Sequence, residues 1–138
     1  MSEGDEPAED ALRWLRFARA DLGAARQFLG DAAIPPHHAC LHSQQAAEKA
    51  LKALLRAHGI AFPPIHDLEQ LHDLLPATSA LPASRPHLDR LTDWHIEARY
   101  PGPWAEPTMA DAEQAASIAA AVNDYVVGEF GRRGIAVE

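Results

Sequence analysis

The sequence carries a single cysteine, Cys40, among 138 residues. No internal disulfide can form, no cysteine-based zinc centre can be assembled, and a reducing compartment fits. Cys40 itself falls on an apolar helical face, where it reads as a small core filler rather than a nucleophile. β-Branched residues are few, no strand–helix alternation is visible and no glycine-rich phosphate loop occurs, which excludes a nucleotide-binding sheet. No apolar run approaches the ~20 residues needed to cross a bilayer. The first ten residues are acidic rather than cationic and then apolar, so the chain is expected to be cytoplasmic, without a membrane partner. Cations are also in the minority: 12 basic against 20 acidic residues give a net charge of −8. Such a balance disfavours general affinity for duplex nucleic acid and leaves two openings, a local basic stripe or a basic partner protein.

What is abundant is alanine and leucine, within a hydrophobic content of 47%. Both lose little freedom in a helix, so the composition predicts an all-α protein. The length suits one domain spanning residues 1–138, with residues 1–7 expected to be disordered. Leu12, Leu15, Ala18, Leu22, Ala25 and Leu29 recur at three- and four-residue steps, predicting a first helix from about Ala8 to Leu29 that Gly30 ends in a left-handed conformation. A second helix from about Pro36 to His58 buries Cys40, Ala47, Ala50, Leu51, Leu54 and Leu55, and Gly59-Ile60 reads as a Schellman stop. Asp67 and Gln70 form a capping pair for a short helix bearing Leu68, Leu71, Leu74 and Leu75. Ser84 opens a fourth helix with Leu88, Leu91, Trp94 or His95, and Ala98 inward, stopping near Arg99 because Tyr100 precedes Pro101. Thr108 and Asp111 cap a last helix whose core face runs from Ala112 to Phe130, finished by Gly131 and Gly134. Short connections make this an up-and-down bundle of four to five antiparallel helices.

Chemistry-bearing residues concentrate on the second helix. His38, His42, Gln45, Lys49, Lys52 and Arg56 follow alternating four- and three-residue steps and align in one stripe. Three of the chain's 12 basic residues lie on it. As a functional feature it is an anion-facing groove or a surface for an acidic partner; as a structural one it is a solvated face with Glu48 and Lys52 paired at i,i+4. Eight histidines raise the question of a metal. His38 and His42 have helical chelate spacing, but no third ligand is evident beside them, so neither metal nor cofactor is expected.

The run from Ala39 to Leu55 (Ala-Cys-Leu-His-Ser-Gln-Gln-Ala-Ala-Glu-Lys-Ala-Leu-Lys-Ala-Leu-Leu) is followed by His58-Gly59-Ile60, Pro64-Ile65-His66-Asp67-Leu68 and Ala98-Arg99-Tyr100-Pro101. In this order the elements resemble the HEPN family, the higher eukaryotes and prokaryotes nucleotide-binding domain, over nearly the whole chain. The resemblance implies a four- or five-helix bundle that forms homodimers and pairs with a minimal nucleotidyltransferase in toxin–antitoxin-like modules. Many relatives are metal-independent ribonucleases, with an arginine that orients phosphate and a histidine a few residues later that moves the proton. Arg99 matches that arginine, but Trp104, Ala105 and Glu106 stand where the histidine belongs, and no histidine follows His95. The implied function is therefore a non-catalytic or weakly catalytic nucleotide- or RNA-binding partner of a nucleotidyltransferase. Arg99, Tyr100, His42, Gln45, Lys49, Lys52 and Arg56 would be its binding residues. The alternative is an endoribonuclease toxin using Arg99 with His95, one turn before it, or with His66; both histidines also have plain structural readings, as a core or capping residue and as a turn anchor. A structural helical dimer without a ligand is the third possibility.

Overall fold

The computed structural model describes residues 6–137. The expectation of disorder over residues 1–7 falls mainly outside them; the backbone is already helical at Glu6. Five helices follow in order: α1 Glu6–Leu29, α2 Pro36–Ala57, α3 Leu68–Asp73, α4 Arg85–Glu97 and α5 Met109–Arg132. No strand occurs among the described residues.

Helix α2 is the centre of the bundle, packing against all four others and most extensively against α1 and α5. Most of its apolar residues are buried, and so are four of its polar ones, Ser43, Gln44, Glu48 and Lys52. Small side chains make this possible, because Ala46, Ala47, Ala50 and Ala53 lie wholly inside and let helix backbones approach closely. Most of the predicted core faces of α1 and α5 is buried too, Leu15, Ala18, Leu22 and Ala25 on one, Ala112, Ala115, Ala119, Val122, Val126 and Phe130 on the other, while Leu12 and Leu29 at the ends of the α1 stripe are half-buried. On α4 the inward aromatic is Trp94, 2% exposed, and His95 flanks it.

Several boundaries form as their residues predict. Gly59 adopts φ +71°, and the Ile60 amide donates to the Leu55 carbonyl at 2.9 Å, which is the 6→1 bond of a Schellman stop. Thr108 and Asp111 form a full reciprocal capping box. Two expectations are corrected. Gly30 is not left-handed; the only described glycines with positive φ are Gly59 and Gly134. Its amide reaches the Arg26 and Gln27 carbonyls, and the turn is then carried by Asp31, whose Oδ1 accepts from the Ala33 amide. Asp67 makes no side-chain cap. Its carboxylate accepts from the Gln70 side chain instead, and the Leu68 amide at the head of α3 donates to Thr92 Oγ1 on α4. Thr92 in turn donates to Glu69, so a partner on the next helix takes the place of the local cap. At the chain's end, α5 continues through Gly131 and the chain turns at Gly134, φ +73°.

Trp94 joins α4 to the shared core and carries the Arg90 guanidinium 3.9 Å from its ring centre. Truncation to alanine is expected to cost about 3–5 kcal/mol, read as a lower urea midpoint with an unchanged slope.

Candidate functional site

The polar stripe of α2 turns toward α1. There two aspartates meet its cations. Asp21 pairs with Lys49 at 2.6 Å and with His42 at 3.4 Å, and Asp10 pairs with Arg56 at 3.2 Å. Lys52 is 6% exposed and donates to Glu48 at 3.0 Å, the i,i+4 pair that the sequence suggested. Aromatic rings fill the remaining contacts, Trp14 and Phe62 beside Lys52 and Phe62 under Arg56. Gln45 is half-buried, and His38 packs its ring against Phe28 and His37. Lys49, Lys52 and Arg56 thus each have a carboxylate within the chain, and a phosphate would have to compete with it.

A polar cluster lies on another flank of α2. Glu48 Oε1 accepts from Gln44 Nε2 at 3.0 Å, and the same amide reaches the His66 carbonyl at 3.3 Å. The His66 Nδ1 lies 3.0 Å from Glu48 Oε1; since a carboxylate only accepts, the imidazole donates. Burial disfavours the Glu48 carboxylate, but hydrogen bonds from Gln44, Lys52 and His66 outweigh it and hold its pKa below the usual glutamate range. His66 stacks on His95 with ring centres 4.0 Å apart. Burial, followed by the nearby His66, lowers the proton affinity of His95, and the Arg99 charge adds to the effect. The structure therefore brings His66 and His95 together and adds Glu48 and Gln44, which sequence reasoning did not count among the site residues. Their one signal is that Gln44, Glu48 and Lys52 repeat every four residues.

Arg99 and Tyr100 stand just past α4, at the mouth of a cleft of about 430 Å³ that also takes His37, Glu97, Trp104 and Glu106 into its walls. The loop is shaped by Trp104, whose Nε1–H donates to the Glu97 carbonyl at 3.1 Å. A β-carbon at position 102 would stand 2.4 Å from that indole, so only glycine lets the ring fold back. The Arg99 guanidinium lies 5.3 Å from the Tyr100 ring centre, and no carboxylate pairs with it among the described residues. Where the motif's histidine is missing, Glu106 lines the cleft, and an imidazole arrives from elsewhere, His37 in the first turn of α2.

The sequence model of the family described as HEPN domain matches residues 11–130. Two solved structures are similar over most of the chain. The crystal structure of TT1696 from Thermus thermophilus is 30% identical, covers 86% of this chain and 97% of its own, and superposes with a TM-score of 0.73. ST0689, an archaeal HEPN homologue, is 28% identical, with coverage of 88% and 96% and a TM-score of 0.61. No curated protein matches.

Glu48 supplies a pH-dependent prediction. Its folded pKa is depressed, so its contribution is complete above the ordinary glutamate range and is lost as pH falls through the folded value. Glu48→Gln leaves Lys52 buried without a counter-charge and is expected to cost about 3 kcal/mol at neutral pH. Urea titrations at decreasing pH should show the gap to wild type closing as the wild-type carboxyl protonates; a gap independent of pH would contradict this.

Proposed function

The chain belongs to the HEPN domain family, and from that membership we propose that it binds a nucleotide or the phosphate backbone of RNA in the cleft beyond α4, acting as partner to a nucleotidyltransferase rather than as a self-sufficient nuclease. The observation that carries this reading is the state of Arg99. The cations of the α2 stripe are engaged by Asp10, Asp21 and Glu48, whereas Arg99 faces the cleft beside an exposed tyrosine ring. A guanidinium without a competing carboxylate presents its forked donors to phosphate, and the Tyr100 ring offers a stacking surface for a base. Glu97 and Glu106 in the same walls favour a ligand that also brings hydroxyl donors, as a ribose does. Glu106 stands in the region of the expected histidine, so this loop lacks the imidazole that both accepts and returns a proton near neutral pH. That supports binding over hydrolysis.

Isothermal titration with ATP and with a short single-stranded RNA tests this. Arg99→Ala should weaken binding about tenfold or more, the loss of one or two charge-assisted hydrogen bonds, while Lys49→Ala should change it little. Equal losses in both variants would return the site to the α2 stripe. Coexpression with a nucleotidyltransferase encoded beside this chain should give copurification, and failure to copurify counts against the partner role.

One arrangement favours a second reading, a ribonuclease. His95, stacked on His66, stands one turn from Arg99, and a neutral imidazole beside a phosphate-binding guanidinium is a competent proton acceptor. RNA cleavage lost in both Arg99→Ala and His95→Ala would establish it and displace the binding-only role. A homodimer is part of the same proposal. Ile96 and Tyr100, one turn apart, are 48% and 52% exposed and offer an apolar strip beside Arg99. Ile96→Glu is expected to shift sedimentation toward monomer, and an unchanged mass would place the dimer contact elsewhere.

A further inference from the structure

Two imidazoles and a carboxylate from three separate segments converge on the flank of α2. Glu48 rises from the middle of that helix, His66 from the turn before α3 and His95 from the last turn of α4. One ligand-capable atom of each lies within 4.8 Å of the other two. Glu48 is already oriented as a metal-binding carboxylate needs to be. Lys52 holds Oε2 at 3.0 Å, and Gln44 holds Oε1 at 3.0 Å. Gln44 also fixes the His66 backbone through its carbonyl. The Nδ1 of His95 is buried with no hydrogen-bond partner, a costly state for an imidazole nitrogen.

We propose that Glu48, His66 and His95 form a binding site for one divalent transition-metal ion of the zinc class. Two imidazole nitrogens and one carboxylate oxygen suit such an ion and not calcium or magnesium, which take oxygen ligands almost alone. Three protein ligands leave the fourth position to solvent, and the His66 side chain, 49% exposed, is on the open side. Lys52 keeps Oε2, so Oε1 is the ligand oxygen, and Gln44 and Lys52 serve as the supporting shell that orients it. The ion takes the place of the proton that His66 Nδ1 donates to Glu48, and the ring stays neutral by carrying its one proton on Nε2, toward solvent. The two rings are stacked with 22° between their planes, which aims their in-plane lone pairs along separate lines. Loading therefore requires the His66 ring, the exposed one, to turn about its side-chain torsions until both nitrogens meet at one point. The charges around the site are balanced: Lys52 and Arg99 oppose the ion, Glu48 and Asp67 favour it. A loaded site removes both imidazoles from proton transfer, so the ion would hold the protein in its binding role.

The test is titration of the full chain, stripped of metal and of any purification tag, with zinc chloride by calorimetry, with cobalt(II) absorption as a second readout. One ion per chain is expected. His66→Ala and His95→Ala should each weaken it about tenfold or more, and the cobalt spectrum should lose its imidazole-ligated band in both. The His37→Ala/His38→Ala double variant should bind as wild type does. No saturable 1:1 binding, binding unchanged in both single variants, or loss only in the double variant overturns the proposal. Far-UV circular dichroism checks folding; if His95→Ala does not fold, the exposed His66→Ala decides alone.

Discussion

A helix buried on nearly every side cannot leave its charges alone, and α2 carries Glu48 and Lys52 at its buried centre. Their pairing at 3.0 Å is the condition on which the packing around them rests. Removing either partner would strand the other in a largely buried position, where an unmatched charge costs several kcal/mol at the order of magnitude seen for buried pairs. The pair in turn decides its surroundings. Trp14 and Phe62 enclose the Lys52 ammonium, Gln44 completes the carboxylate, and His66 is drawn to the same oxygen. The turn that leads into α3 is thereby tied to α2, and His66 comes to rest on His95 of α4.

The same constraint explains where free charge is left. With Lys49 and Arg56 matched to Asp21 and Asp10 of α1, the stripe of α2 is a seam between helices. Arg99 lies past the end of α4, in a loop whose shape is set by Trp104 and Gly102 rather than by helix packing. Among the described residues no carboxylate pairs with it. A basic residue of this acidic chain is thus available at a cleft of about 430 Å³, beside the histidine pair and within its electrostatic reach.

Much of the fold was legible from the residues because its boundaries are set locally. Gly59-Ile60 and Thr108-Asp111 encode their stops and starts within a few residues, and the three- and four-residue spacing of leucine and alanine identifies the buried faces. The failures share a cause. Asp67 lost its capping role to Thr92, and Gly30 its left-handed turn to Asp31, because other side chains competed for the same stretches of backbone. The stripe on α2 has the spacing of a surface feature, and periodicity says which residues share a face but not what covers it. Glu48, His66 and His95 are 18 and 29 positions apart along the chain, so only the packing of three segments reveals them as a cluster. The missing histidine after Arg99 was readable; the approach of His37 to the same cleft was not.

On the proposed reading, ligand phosphate meets this protein at the loop arginine and not along α2. Amide chemical-shift mapping with unlabelled ATP tests it most directly. Perturbations are expected to be confined to residues 97–107 and to the first turn of α2 around His37. Shifts centred on Lys49 and Arg56, with the loop unmoved, would contradict it.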